Sequence, residues 1–122
     1  MATFTKQKLS GSTNGRGIAV AATATVGTTI HATTTSATTI DELWLYAANI
    51  HSSAVTVTIE LGGVTVTSDL IQQSIAATPS GLVLICAGLI LTGTGSAALT
   101  VSAFAGTANK IEIFGFVNRI TA

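Results

Sequence analysis

The chain of 122 residues has the size of one compact domain, since domains cluster near about 100–150 residues. Only 8% of its residues are charged, the formal net charge is zero and 48% are hydrophobic. This composition excludes a disordered chain, which needs low hydrophobicity and high charge, and it lacks the basic field of a nucleic-acid-binding protein. So few charges also predict that much of the folded surface contacts protein rather than water.

The first predicted element is an extended arm over residues 1–17. It contains Lys6, Lys8 and Arg16, no acidic residue, and several Gly, Ser and Asn residues, which is typical of a flexible segment. All five acidic residues fall in 18–122, together with Lys110 and Arg119, so that part of the chain is net negative. We therefore expect the positively charged arm to lie on an acidic surface.

Residues 18–122 are predicted to form a single all-β domain, an antiparallel, jelly-roll-like β-sandwich. Thr is the commonest residue, and 12 Gly stand against one Pro, a composition that favours strands joined by tight turns. Turn signals recur at the spacing of about 8–12 residues that such folds show. The eight predicted strands lie near 18–26, 28–35, 40–50, 54–61, 64–72, 82–92, 97–104 and 109–120.

Three hairpins are predicted between consecutive strands. The clearest joins 54–61 to 64–72, because apolar and polar residues alternate on both sides of Gly62-Gly63, a two-residue turn. In its predicted register the opposite pairs are Leu61 with Val64, Ile59 with Val66, Glu60 with Thr65, and Thr58 with Thr67. Two further hairpins are expected at residues 93–96 and 106–108.

Two strands are apolar on both faces, 82–92 and 109–120. In the last strand, Ile111, Ile113 and Val117 are expected on one face and Phe114, Phe116 and Ile120 on the other. A sandwich has one inner face per sheet, so the second apolar face requires a second buried surface. We expect a homo-oligomer whose interface contains Leu84, Leu89, Phe114, Phe116 and Ile120.

The residues that could carry chemistry form no recognisable catalytic motif. Cys86 lies within an apolar run, which predicts a buried and unreactive thiol. His31 and His51 lack nearby metal ligands, and Asp41 and Glu42 are expected on opposite faces at the solvated start of a strand. The protein is therefore predicted not to be an enzyme, and no catalytic residue, metal, cofactor or small-molecule substrate is assigned.

Two other features bear on partners. The longest apolar run spans ten residues, 82–91, about half of what a membrane-spanning helix needs, so no membrane association is expected. Trp44 and Tyr46 share one strand face. Packing in a core or an interface is the commoner use of such a pair, and stacking on a sugar or peptide is the alternative.

Segments throughout the chain resemble small virion proteins of tailed bacteriophages and prophages. They are 9–16 (LSGSTNGR), 27–31 (GTTIH), 40–47 (IDELWLYA), 59–63 (IELGG) and 108–121 (ANKIEIFGFVNRIT). The resemblance implies a capsid decoration, or cement, protein located on the capsid surface. It would sit as a trimer on the major capsid protein, at junctions between capsomers, with its N-terminal arm along the shell.

Other functions fit the same pattern. A head-fibre base, neck or tail component would have a similar composition. A ligand-binding β-module and an outer-membrane β-barrel are more distant alternatives, and the sequence lacks the aromatic girdles that the latter requires. If the arm docks on the capsid, deletion of residues 1–17 is expected to abolish capsid binding and to leave the trimer intact.

Overall fold

The computed structural model describes residues 2–66 and 68–121, and within these residues the chain forms nine β-strands and no helix. The four longest strands coincide with segments of alternating side chains or with apolar runs. The strands are β1 (Thr3–Lys8), β2 (Ile18–Ala19), β3 (Thr28–Ala32), β4 (Ile40–Asn49), β5 (Val55–Leu61), β6 (Leu70–Ile75), β7 (Val83–Leu91), β8 (Thr100–Ala105) and β9 (Ile111–Thr121).

The strands form two antiparallel sheets that pack together. Sheet A has the order β1-β9-β4-β7, with the short β2 also paired to β9, and sheet B has the order β3-β8-β5-β6. Every pairing is antiparallel. The predicted all-β, single-domain β-sandwich is therefore confirmed.

The strand pairs are nested around β5 and β6. β5 pairs with β6, β4 with β7, β3 with β8 and β2 with β9. As a result β7, β8 and β9 alternate between the two sheets, and the hairpins predicted at residues 93–96 and 106–108 are wrong. The alternation of a strand reveals that it has a buried face, but not which sheet it joins.

The remaining hairpin, β5–β6, exists with a longer loop and a different register. Ile59 lies opposite Ile71 and Glu60 opposite Leu70, so the predicted pairs with Val64, Val66 and Thr65 are wrong. The predicted partner of Thr58, Thr67, lies outside the described residues. Asp69 closes the loop, since its carboxylate accepts the backbone N–H of Thr65 at 2.9 Å. That contact favours a long polar loop over the two-residue turn.

The core between the sheets is aliphatic. Its largest fully buried side chains include Leu43, Leu45, Ile59, Ile111 and Ile113. No aromatic side chain is among the buried hydrophobic residues that the structure describes. The predicted burial of Cys86 is confirmed: it is 1% exposed with a free thiol, and burial raises the pKa of that thiol.

The segment predicted to be a separate arm forms part of the sandwich. β1 pairs with β9 along its full length, from Thr3 opposite Thr121 to Lys8 opposite Phe116. Leu9 is 1% exposed and belongs to the core. The extended conformation is as predicted, but residues 3–9 are an edge strand and a core contact. Composition alone did not reveal this, because an edge strand tolerates the same polar residues as a mobile segment.

Candidate interaction face

The outward surface of sheet A is the most distinctive surface of the protein. β9 and β7, the two strands with apolar residues on both faces, lie on either side of β4. Residues directly opposite each other in a sheet point to the same face. The outward side chains define a surface that we call the aromatic face: Phe4, Ile40, Trp44, Tyr46, Leu84, Phe114, Phe116 and Ile120.

The register of β4 and β9 brings the rings of this face together. Trp44 lies opposite Phe116 and Tyr46 lies opposite Phe114. The rings of Trp44 and Phe116 stack with centroids 6.2 Å apart and an angle of 10° between their planes. Apart from Phe104 on β8, every aromatic residue of the chain lies on this face. The aromatic residues therefore form a surface rather than a core.

Two glycines let the rings lie close to the backbone. A Cβ on Gly17 would come within 2.7 Å of the Phe114 ring, and one on Gly88 within 3.3 Å of the Trp44 indole. Gly88 has a φ of +73° and lies at a bulge in β7, between the residues opposite Leu43 and Trp44. The backbone therefore lies close to the Phe114 and Trp44 rings, and both rings are only partly exposed.

The basic groups of this surface lie on β1, and its acidic groups, Glu42 and Glu112, lie on β4 and β9. Lys6 and Lys8 lie beside Asn118 and Phe116 of β9, and the Lys6 Nζ is 4.3 Å from the centre of the Phe116 ring. Glu42 accepts the Trp44 indole N–H at 2.8 Å and the Asn118 amide at 2.9 Å, and these hydrogen bonds lower the pKa of Glu42. The surface therefore changes from basic at the β1 edge to apolar at the β7 edge.

The structure brings four of the five predicted interface residues together. Leu84, Phe114, Phe116 and Ile120 lie on the aromatic face, with Phe114, Phe116 and Ile120 on the predicted side of β9. Leu89 lies opposite the inward-pointing Leu43, so its register places it outside this face, yet it is 42% exposed at the sheet edge.

The three basic residues predicted to form a docking arm lie in two places. Lys6 and Lys8 lie on the outward side of β1, and Arg16 is exposed in the turn before Gly17. Trp44 and Tyr46, for which the sequence allows a core, an interface or a ligand site, point outward with the other rings. Phe4 was missed, because residues 1–17 were not treated as a strand; its only signal was the alternation Phe4, Lys6, Lys8.

A buried polar network behind this face was also missed. Asp41 is 1% exposed and its carboxylate binds Arg119 through two hydrogen bonds of 2.7 and 2.8 Å. The same carboxylate lies 2.7 Å from Nε2 of His31, which is also 1% exposed. Nδ1 of His31 accepts the backbone N–H of Ser10 at 3.0 Å. The network thus links β3, β4, β9 and the N-terminal segment.

This network corrects the expectation that Asp41 is solvated at the start of a strand. Asp41 points into the sandwich and Glu42 points out, so the predicted opposite faces are confirmed. Burial alone raises the pKa of the Asp41 carboxyl, but the hydrogen bonds from Arg119 and His31 outweigh it and hold that pKa below its usual value. The Asp41 carboxylate can remain buried because Arg119 and the ring N–H of His31 compensate for the free energy of removing it from water.

No cluster of three or more His, Cys, Asp or Glu side chains that would suit a metal ion occurs within residues 2–66 and 68–121. The same part of the chain contains no helix of the length and apolarity that a membrane crossing requires. Comparison of the chain with protein-family models, curated proteins and solved structures found no match.

Proposed function

We propose that this protein is a non-enzymatic structural component of a tailed-bacteriophage virion. It decorates and stabilises the capsid by binding the assembled shell as a homotrimer, with the major capsid protein as its partner. It acts at the capsid surface and requires no cofactor, substrate, nucleic acid or membrane. The resemblance of the sequence to phage virion proteins supports the virion class, and the aromatic face supports permanent assembly.

The aromatic face is the observation that carries the proposal. Rings that an ordinary domain would bury lie on the outside, next to exposed Phe4 (64%), Leu84 (47%) and Ile90 (61%). Burial of apolar surface contributes about 25 cal/mol per Å², and interfaces concentrate aromatic residues at their centres. A chain with 8% charged residues has few groups that would keep this surface in water.

The size of the face indicates how much more surface the trimer requires. Lys6 and Lys8 of β1 face the capsid in this proposal, so the trimer uses β9, β4 and β7. Three strands spaced by about 4.8 Å, with about seven residues each at 3.3 Å per residue, give a plan area of about 330 Å². A stable interface buries about 800 Å² on each partner. The trimer contact therefore extends around the β7 edge, where Leu82 (57%) and Leu89 (42%) are exposed. A ring of three needs two different surfaces on each protomer, and the face and this edge supply them.

The nested strand order favours the jelly-roll form of the sandwich. The strands pair from the outside of the sequence inwards: β2 with β9, β3 with β8, β4 with β7 and β5 with β6. Successive pairs in this series lie alternately in sheet A and sheet B. Jelly rolls contain eight strands in two sheets and are common in viral capsid proteins. In this interpretation β1 is an additional strand at the edge of sheet A.

The capsid contact is assigned to Lys6, Lys8 and Arg16. These residues are exposed, whereas 18–122 carries all five acidic residues. A protein that binds the assembled shell and not its dissociated subunits stabilises the shell by mass action. Because residues 3–9 are part of the sandwich, deletion of 1–17 would disturb the fold. Substitution of the three charges is the appropriate test.

The trimer is tested by light scattering at two salt concentrations. We expect the mass of three 12.2 kDa chains, unchanged by salt because the contact is apolar. The double variant Leu84→Gln/Ile90→Gln is expected to dissociate. Val66→Gln, which changes a 79% exposed apolar residue in the β5–β6 loop, is the control and is expected to stay trimeric. A monomeric wild type would contradict the trimer and favour a ligand-binding module.

The capsid role is tested on virions that contain the protein. We expect many copies distributed over the shell, and weaker rebinding of Lys6→Gln/Lys8→Gln/Arg16→Gln to stripped capsids, with a difference that shrinks as salt increases. The variant has to keep the wild-type mass. A few copies confined to one vertex would favour a neck, tail or head-fibre role, and absence from virions would overturn the proposal.

A further inference from the structure

A pocket on the outward side of sheet B contains a buried carboxylate that no part of the proposed assembly uses. The pocket has a volume of about 260 Å³. Glu60 lines it and is 1% exposed, and Thr100 and Ser102 of β8 contribute hydroxyl groups. Val26, Val64 and Leu99 supply apolar walls.

Glu60 is fixed in place but lacks a cation. One carboxylate oxygen accepts the backbone N–H of Gly27 at 2.7 Å and the other accepts the hydroxyl of Thr25. Within residues 2–66 and 68–121, the only acidic side chain in a salt bridge is Asp41. A buried carboxylate is costly unless a positive charge compensates it. The pocket is therefore complementary to a cationic group from outside the chain.

We propose that this pocket binds an alkylammonium group. An ammonium has three donors, which suit the Glu60 carboxylate and the nearby hydroxyls, and its alkyl stem suits the apolar walls. Each Glu60 oxygen already accepts one hydrogen bond and keeps one lone pair; an ammonium needs only one of these, whereas the parallel pair of bonds that a guanidinium prefers needs both. Calcium needs six to eight oxygen ligands, including several carboxylates or carbonyls, which one carboxylate and two hydroxyls do not provide.

The volume restricts the ligand to the size of one side chain. Sites for drug-sized molecules usually have about 300–1,000 Å³, so this pocket lies just below that range. Two sources present an alkylammonium of this size, a lysine side chain of a partner protein and a free diamine. Both bring the same charge and stem to Glu60, and they differ in the chemical group that the far end of the stem carries outside the pocket.

The proposal is tested by NMR titration of the wild-type protein with n-butylammonium chloride at constant ionic strength. We expect saturable shifts of the Gly27 amide and of the Val64 and Leu99 methyl groups. The neutral analogue 1-butanol is expected to cause no saturable shift. Glu60→Gln keeps the shape of the side chain without its charge and is expected to lower the affinity at least ~10-fold. Glu112→Gln, on sheet A, is the matched control and is expected to bind as the wild type does.

Equal responses to n-butylammonium and 1-butanol, or no saturable response, would overturn the proposal, and this comparison needs only the wild-type protein. Unchanged affinity in a folded Glu60→Gln variant would overturn it as well. Titrations with N-acetyl-lysine-N-methylamide and 1,5-diaminopentane separate the two sources. Tighter binding of the lysine derivative supports a partner lysine, and tighter binding of the diamine supports a free amine. The result does not depend on the trimer or on the capsid.

Discussion

At the scale of single residues, Asp41 joins the two sheets. Its carboxylate accepts two hydrogen bonds from Arg119 of β9 and one from His31 of β3. His31 in turn accepts the Ser10 N–H at Nδ1, so its proton resides on Nε2 and points to Asp41. The imidazole is therefore a neutral bridge, and Arg119 is the cation that compensates the Asp41 charge.

Replacing Asp41 by Asn removes the negative charge and leaves Arg119 facing a neutral amide. Loss of one partner of a buried ion pair costs about 3–5 kcal/mol, so we expect Asp41→Asn to lower the free energy of unfolding by this order. Urea denaturation followed by tryptophan fluorescence measures the change. Glu42→Gln is the control, since the neighbouring carboxylate points outward and its replacement keeps an acceptor for Trp44 and Asn118. Equal midpoints for the two variants would contradict the assigned role of Asp41.

At the scale of elements, β4 and β9 form the contact on which the aromatic face depends. Gly115 lies between Phe114 and Phe116 and opposite Leu45. A Cβ at Gly115 would collide with the backbone carbonyl oxygen of Trp44. A backbone neighbour cannot rotate away as a side chain can, so any larger residue at this position forces the two strands apart.

We therefore expect Gly115→Ala to destabilise the protein by about 2 kcal/mol or more and to disturb the stacking of Trp44 on Phe116. Near-ultraviolet circular dichroism reports the stacking and urea denaturation reports the stability. Gly106→Ala is the matched control, because a Cβ there would meet nothing within 4 Å. If both variants unfold at the same urea concentration, the close approach of β4 and β9 does not limit stability.

The elements also show what the sequence predicts and what it leaves open. Alternation predicted most of the strands and separated the two sides of β9, because the period of two is a local property. It missed β1, predicted 18–26 where β2 spans only Ile18–Ala19, and predicted 64–72 where β6 spans Leu70–Ile75. It did not predict that β8 joins the opposite sheet from β7 and β9. Consecutive strands in a sandwich either pair or cross over, and both arrangements bury the same residues.

For the candidate site too, local alternation was predictable from the sequence and the pairing of distant strands was not. The outward side of β9 and the apolar character of β7 were predictable, and the second buried surface that they imply stays a prediction. Phe4 and Lys6 were not, since their place on the face depends on the pairing of β1 with distant β9. The buried Asp41 was missed for the same reason, because its partners His31 and Arg119 lie on two other strands.

At the scale of the whole molecule, the small number of charges makes the acid stability depend on few groups. The chain has five acidic side chains, and three of them have a pKa below the ordinary value. Hydrogen bonds from Trp44 and Asn118 lower the pKa of Glu42, and the Thr65 backbone N–H lowers that of Asp69. For Asp41, burial raises the pKa and is outweighed by Arg119 and His31.

These shifts predict the direction of the pH dependence. A carboxyl group with a lower pKa in the folded state binds fewer protons there than in the unfolded chain, so the free energy of unfolding rises with pH in acid. The stabilisation is complete above the ordinary values, 3.8 for Asp and 4.5 for Glu, and is lost as the pH falls through the folded-state values. Urea denaturation of the wild type between neutral pH and pH 2, at one protein concentration and one ionic strength, is expected to show this loss. Asp41→Asn is expected to lose less over the same range, because the buried Asp41 carboxyl, whose pKa is lowered in the folded state, is absent from the variant. Parallel curves for the two proteins would show that Asp41 does not link protonation to the fold.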